Sequence, residues 1–190
     1  SATNRIQQFS PAGEFVRTWG WGVRDGEAEF QSCKTAATCQ AGISGPGSGQ
    51  MNLPQGIAVD QATGNLFVSD QGNRRIDVFG ANGAFQGAFG YGTRTGAAEL
   101  QFCTTSCVTS AANGAQGGRF GGAIGALAVN PTTGNLYVAS KTNRRIEVFK
   151  PTLTGSVVSG AEFLHAFGWD VVTGGIVGFE VCTVASTCKA

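Results

Sequence analysis

Gly56-Ile57-Ala58-Val59-Asp60, Gly64-Asn65-Leu66-Phe67-Val68-Ser69-Asp70 and Asn73-Arg74-Arg75-Ile76-Asp77-Val78-Phe79 are three short apolar runs punctuated by Gly and Asn. Runs this short and this rich in Val, Ile and Phe read as strands, and Gly and Asn accept the positive φ that tight turns need. A fourth run, Phe85 to Phe89, follows Ala81-Asn82-Gly83. The expected unit is an antiparallel meander of strand a (Gly56 to Asp60), b (Leu66 to Ser69), c (Arg75 to Phe79) and d (Phe85 to Phe89). No stretch carries apolar residues at helical spacing for more than a turn or so, so almost no helix is expected.

The unit recurs. A shift of 70 residues superposes Ile6, Ile76 and Ile146, and likewise Phe9, Phe79 and Phe149. Gly64-Asn65-Leu66-Phe67-Val68 matches Gly134-Asn135-Leu136-Tyr137-Val138, and Ile57-Ala58-Val59-Asp60 matches Leu127-Ala128-Val129-Asn130. After the third strand c the register slips by 8, because Lys150 to Glu162 is longer than Gly80 to Ala84. Trp19-Gly20-Trp21 then aligns with Phe89-Gly90-Tyr91 and Phe167-Gly168-Trp169. Equivalent positions are expected to be equivalently buried: Val59 with Val129, Val68 with Val138, Ile76 with Ile146.

These runs resemble the NHL repeat, whose pattern is a Gly-Ile-Ala-Val-Asp strand, a Gly-Asn-Leu-Tyr-Val-Ala-Asp hairpin and an Asn-x-Arg-Ile strand. The copy at Leu127 to Phe149 has Asn130 and Ser140 where the family favours Asp, and the first copy is only its last part, from Asn4-Arg5-Ile6 onward. The resemblance covers about half the chain and implies a β-propeller. The fold class expected is all-β: a β-propeller segment of four-stranded antiparallel NHL-type blades that leaves the ring incomplete. Residues 1–21 supply the last two strands of a blade, 54–90 and 123–168 a complete blade each, and 22–53, 91–122 and 169–190 a cysteine-bearing insertion each. About two and a half blades are fewer than the four or so that close a propeller. The expectation is a part of a longer protein, a proteolysed piece, or a protomer completed by neighbours, with residues 3 to 19 meeting polypeptide from outside.

Composition narrows the function classes. The chain has 30 Gly and 13% charged residues, with a formal net charge of +1. That charge supplies no concentrated basic face for nucleic acid or an anionic membrane, and no apolar run is long enough for a membrane-spanning helix. Six cysteines fall in three close pairs, Cys33/Cys39, Cys103/Cys107 and Cys182/Cys188. Even, local pairing suggests disulfides and an extracellular or cell-surface location. Zinc usually needs four ligands at other spacings and often histidine, of which there is one, His165. No cofactor and no metal are expected.

With alternating strands, the insertions and the b-to-c turns emerge on one face, which brings Asp70, Asn73 and Arg74 beside the cysteine loops. On that face Trp21, Tyr91 and Trp169 follow each aromatic-Gly step; such a row suits carbohydrate or peptide contacts, or simply covers its own disulfide loop. Arg5, Arg75 and Arg145 open each strand c. A repeated Arg can bind phosphate or carboxylate, but repetition in every unit points instead to an ion pair or backbone contact inside the repeat. Asp60 and Asp70 end strands a and b, where Asp commonly accepts hydrogen bonds from its own turn. Asp25, Glu27 and Glu29 form an acidic approach with Glu99 and Glu180 as rough counterparts; paired carboxylates could serve a glycosidase, a solvated loop being the plainer reading.

NHL propellers serve as protein-, RNA- and peptide-binding scaffolds, and one branch is an amidating lyase with zinc held by histidines. The lyase histidines have no counterparts here. The resemblance therefore implies a noncatalytic extracellular module for recognition, adhesion or assembly, able to polymerise through its exposed blade edges into a filament. The alternative is an NHL-type lyase or hydrolase whose active residues lie outside this segment. Peptide mapping without reduction is expected to find each cysteine pair in one small peptide, each bridge contributing about 2 kcal/mol in the chain-entropy picture. Free thiols, or a bridge between two insertions, would remove both the pairing and the extracellular assignment.

Overall fold

A computed structural model describes residues 3–111 and 114–190. Residues 1 and 2 of the expected first segment, and 112 and 113 of the second insertion, lie outside them. The described chain is all-β, in three antiparallel sheets with one 3-10 turn and no α-helix. The first sheet is β1 (Ile6–Phe9), β2 (Phe15–Trp21) and β3 (Phe30–Cys33). The second runs in sequence order through β4 (Pro54–Val59), β5 (Leu66–Asp70), β6 (Arg75–Phe79), β7 (Phe85–Tyr91) and β8 (Leu100–Cys103). The third repeats that meander with β9 (Ile124–Val129), β10 (Leu136–Ser140), β11 (Arg145–Thr154), β12 (Val157–Trp169) and β13 (Phe179–Cys182). The three sheets are separate, and none closes on itself.

Each full sheet has five strands, one more than the sequence pattern foretells. The fifth is the run before each first cysteine: Phe30–Cys33, Leu100–Cys103 and Phe179–Cys182 pair with the outer edges of β2, β7 and β12. Only four residues long, it offers too little alternation to read as a strand. It forms because the edge of the preceding strand would otherwise leave its backbone groups unpaired.

The sheets stack face to face through side chains that recur with the repeat. Trp19 of β2 meets Phe79 of β6, rings 6.4 Å apart, and Phe89 of β7 meets Phe149 of β11 at 5.3 Å. Under each contact lies the next sheet's own pair, Phe79–Phe85 or Phe149–Phe163, both edge-on. The larger core, between sheets two and three, joins Phe67, Ile76, Val78 and Phe89 to Phe120, Ile124, Leu136, Val138 and Phe149; the smaller, between sheets one and two, joins Trp19 to Met51, Val68 and Phe79. At the inner edge β4 and β9 come close enough that a Cβ on Gly56 would sit 2.7 Å from the Gly125 carbonyl oxygen, so residue 56 must be glycine.

The eight extra residues of the third unit have a purpose in packing. They lengthen the β11–β12 hairpin until Val158 enters the larger core. There the Gln86 side chain accepts from the Val158 N–H at 2.8 Å, and Asn65 Nδ2 donates to the Ser156 carbonyl at 2.8 Å.

Burial departs from the expected equivalence at strand a and, more mildly, between Ile76 and Ile146 of strand c. Val68, Val138 and Ile76 are fully buried and Ile146 and Val129 half-buried, but Val59 is 41% exposed. The physical reason is that β4 turns Ala58 into the core against β9, while Ile57 and Val59 point to the opposite side, where the first sheet has no strand to cover them. Ile76→Ala should accordingly destabilise the protein by about 2 to 4 kcal/mol, and Val59→Ala by less than about 1 kcal/mol, in urea unfolding monitored by tryptophan fluorescence. Equal costs for the two would contradict this assignment of faces.

Candidate functional site

The face where the cysteine loops meet the b-to-c turns is organised by buried charge. Arg75, wholly buried, donates from Nε to Asp77 Oδ1 at 2.8 Å and from its terminal nitrogens to the carbonyls of Pro46, Gly47 and Gln50. Its planar fork thus ties the return of the first insertion to the second sheet. Asp70 and Asn73 complete the tie. Asp70 accepts from the Asn52 N–H at 2.9 Å and from Asn73 Nδ2 at 2.6 Å, and that same amide reaches the Gly45 carbonyl at 2.8 Å.

The third sheet repeats the device with different side chains. Arg145 pairs with Glu147, whose longer arm also accepts from the Gly118 N–H at 2.7 Å, and Arg145 donates to the Gln116 and Lys189 carbonyls. Where Asp70 stands in the second sheet the third has Ser140, whose buried hydroxyl has no partner among the described residues. In the first sheet Arg5 donates to the Gln40 carbonyl, and Gln7 replaces the carboxylate. The repeated arginines are therefore internal ties, the plainer of the two readings that their periodicity allowed.

Two buried carboxylates around one guanidinium cannot both be ionised cheaply. Burial, and then the neighbouring Asp77, push the Asp70 carboxyl up to about 8 against the pull of Arg75 and the Asn52 N–H. Burial also raises Asp77.

Of the aromatic candidates, two are lidded and one is open. Trp21 donates from its indole N–H to the Ser48 carbonyl at 3.0 Å, under the return of its own insertion. Tyr91 is 8% exposed, with the Arg119 guanidinium 5.1 Å above its ring. Trp169 is 68% exposed, beside Phe179 at 66% and Val181 at 52%. Its side of the third sheet is the one that, in the first two sheets, takes the next sheet and its insertion return. Arg74 is half-buried, at φ 54°, and donates to the Ser110 carbonyl. Asn73 bonds to the same insertion return that lids Trp21, and Asp70 is buried beside Asn73, whereas Trp169 stands open on the third sheet, so the expected site residues divide into an internal lock and a surface patch rather than converging on one cleft.

The acidic approach is a turn held by one glutamine. Gln31 accepts from the N–H groups of Arg24 and Asp25 and donates to Asp25, and Gln101 repeats the arrangement with Arg94 and Thr95. Glu180 occupies the equivalent place and accepts from the Val172 N–H at 2.9 Å. The Gln31 hydrogen bond, the Glu27 N–H and Arg24 together hold Asp25 at about 2, so it stays ionised and is no proton donor. Asp60 caps its own turn through Ala62 N–H and Thr63, as Asp at a strand end commonly does.

The three cysteine pairs are disulfides, Cys33–Cys39, Cys103–Cys107 and Cys182–Cys188, with no free cysteine among the described residues. Among the described residues no helix is long and apolar enough to cross a membrane. Disulfides of this kind are compatible with an extracellular protein. No protein-family model matches the chain, and no curated protein is significantly similar to it.

The buried pair fixes a pH dependence. A folded value raised above that of the unfolded chain means that the native state keeps a proton the unfolded state releases near pH 4. Stability is therefore expected to fall as pH rises between about 4 and 8. Asp77→Asn leaves Arg75 with one carboxylate and should flatten that slope. Urea midpoints from pH 4 to 8 test both statements, and a wild-type midpoint that climbs through this window contradicts them.

Proposed function

We propose that the chain is a noncatalytic NHL-type propeller segment that works outside the cell as a recognition and assembly module, meeting other polypeptide through the open faces of its terminal sheets. The observation that carries this reading is the stacking interface itself. One side of a sheet (Trp19 and Phe30, or Phe89 and Leu100) packs on the other side of the next (Phe79 and Phe85, or Phe149 and Phe163). Such head-to-tail contacts leave an unmatched half at each end of a stack. Neither half is covered here: Trp169 and Phe179 are exposed beside half-buried Phe167 on the third sheet, and Phe9 is exposed beside half-buried Phe15 on the first. Large exposed apolar side chains in a contiguous patch favour a protein partner.

The disulfides support a place in an oxidising compartment, and the sequence resemblance supports the propeller architecture. Sedimentation velocity from about 1 to 100 μM is the direct test, a range that brackets interfaces of moderate affinity. Wild-type protein should associate, and a Trp169→Ser/Phe179→Ser double variant should stay monomeric with unchanged far-UV circular dichroism. A wild-type monomer over the whole range, or a variant that associates as before, would remove assembly through this face.

A further inference from the structure

Among the described residues β1 pairs with β2 on one side and with no strand on the other, whereas its repeat equivalents β6 and β11 are flanked on both. The missing neighbour shows in the side chains. Across the gap Ile57 and Val59 of β4 are exposed, although their equivalents Leu127 and Val129 pack against the core beside β4. Ile6, Trp19, Ile57, Val59 and Leu66 line the resulting groove, about 300 Å3 in volume.

Two further features say what the groove fits. At its mouth Asn4 has φ 42°, and the equivalent residues Arg74 and Arg144 have φ 54° and 51°. Arg74 and Arg144 stand at the corner between an antiparallel second and third strand, so β1 begins from the corner that such a hairpin requires. The second feature is charge. Arg75 and Arg145 each satisfy Nε with a carboxylate two residues on, at 2.8 and 3.3 Å. β1 has Gln7 at that place, and Arg5 Nε is buried without a partner among the described residues. In the second sheet another carboxylate approaches the arginine Nε from the neighbouring strand: Asp70, paired in register with Arg75, lies 3.8 Å away.

We propose that the β1 edge and its groove are the docking site for a two-stranded β-hairpin of this repeat's own pattern. Its second strand pairs antiparallel with β1 and ends on a carboxylate opposite Arg5. Its first strand lies against Ile57 and Val59 and presents small residues to them, as β4 turns Gly56 and Ala58 toward β9. Strand addition supplies main-chain hydrogen bonds, and the groove and the arginine select the sequence. The proposal rests on the repeat-module reading and names the partner taken at this end.

The chain carries its own probe. A copy of residues 54–70 joined directly before Ser1 keeps the 70-residue register, because Ser1 is equivalent to Gln71. In this extended chain the β1 amides that face away from β2 are expected to exchange about 100-fold more slowly or better, with β6 and β11 amides unchanged. Replacing the last residue of the added copy, its Asp70→Asn, should forfeit part of that protection. Unchanged exchange at β1, with β6 and β11 protected, overturns the docking proposal and leaves the repeat reading intact. Unequal protection of β6 and β11 would instead end the repeat reading. Should the extended chain fail to fold, a synthetic peptide of residues 54–73 titrated into the original chain decides: saturable amide shifts confined to β1, Trp19, Ile57 and Val59 support the site, and their absence overturns it.

Discussion

Arg75 is the fixed point of the molecule. A guanidinium buried completely must satisfy every donor or lose several kcal/mol, on the order of 3 to 5 for a broken buried pair. Arg75 does so by drawing in Asp77 from its own strand and three carbonyls from the insertion return. The insertion is therefore a loop only in sequence. Its return segment is a wall of the sheet that follows it, and Met51 on that segment is buried in the contact between sheets one and two. The disulfide closes the outer part of the loop, and the arginine closes the inner part.

From this tie follows the direction of the stack. Each insertion leaves the outer strand of one sheet and is gripped by the third strand of the next, so consecutive sheets are related head to tail. The aromatic contacts obey the same rule: Trp19 reaches forward to Phe79, Phe89 to Phe149. A chain built this way has two different ends. One offers Trp169 and Phe179 on a finished sheet; the other offers an unpaired strand edge above Ile57 and Val59. The described residues gather no converging cluster of three or more His, Cys, Asp or Glu side chains, and the strongest buried charge, the Asp70–Arg75–Asp77 group, is consumed in holding the fold.

Variation between units shows what the device tolerates. Asp77 becomes Glu147, and the longer arm gains the Gly118 N–H as a second partner. Asp70 becomes Ser140, which relieves the third sheet of the second carboxylate and of the proton it would retain. In the first sheet the carboxylate is gone from β1 altogether and Arg5 Nε has no partner among the described residues. The same scaffold thus appears with two, one and no acids beside its arginine, which is a graded change in charge at a constant backbone corner, φ 42° to 54°.

Strand order, turn positions and the three disulfides were all legible in the sequence, because each rests on neighbours: alternating Val, Ile and Phe, Gly and Asn at the corners, and cysteines a few residues apart. The internal role of Arg75 and Arg145 was legible too, since repetition in every unit fits a structural tie better than a ligand site. What sequence could not settle depends on partners distant along the chain. The fifth strand exists only because an outer edge needed hydrogen bonds, which four residues cannot advertise. Val59 and Val129 occupy the same place in the repeat and differ in burial because β9 lies against β4, whereas the first sheet sets no strand opposite Val59. Trp21, Tyr91 and Trp169 likewise read as one class, and tertiary packing divided them into two lidded rings and one open one. Periodicity specifies what each unit is; whether a given surface is core or solvent is decided by the neighbouring unit, and no local pattern contains that information.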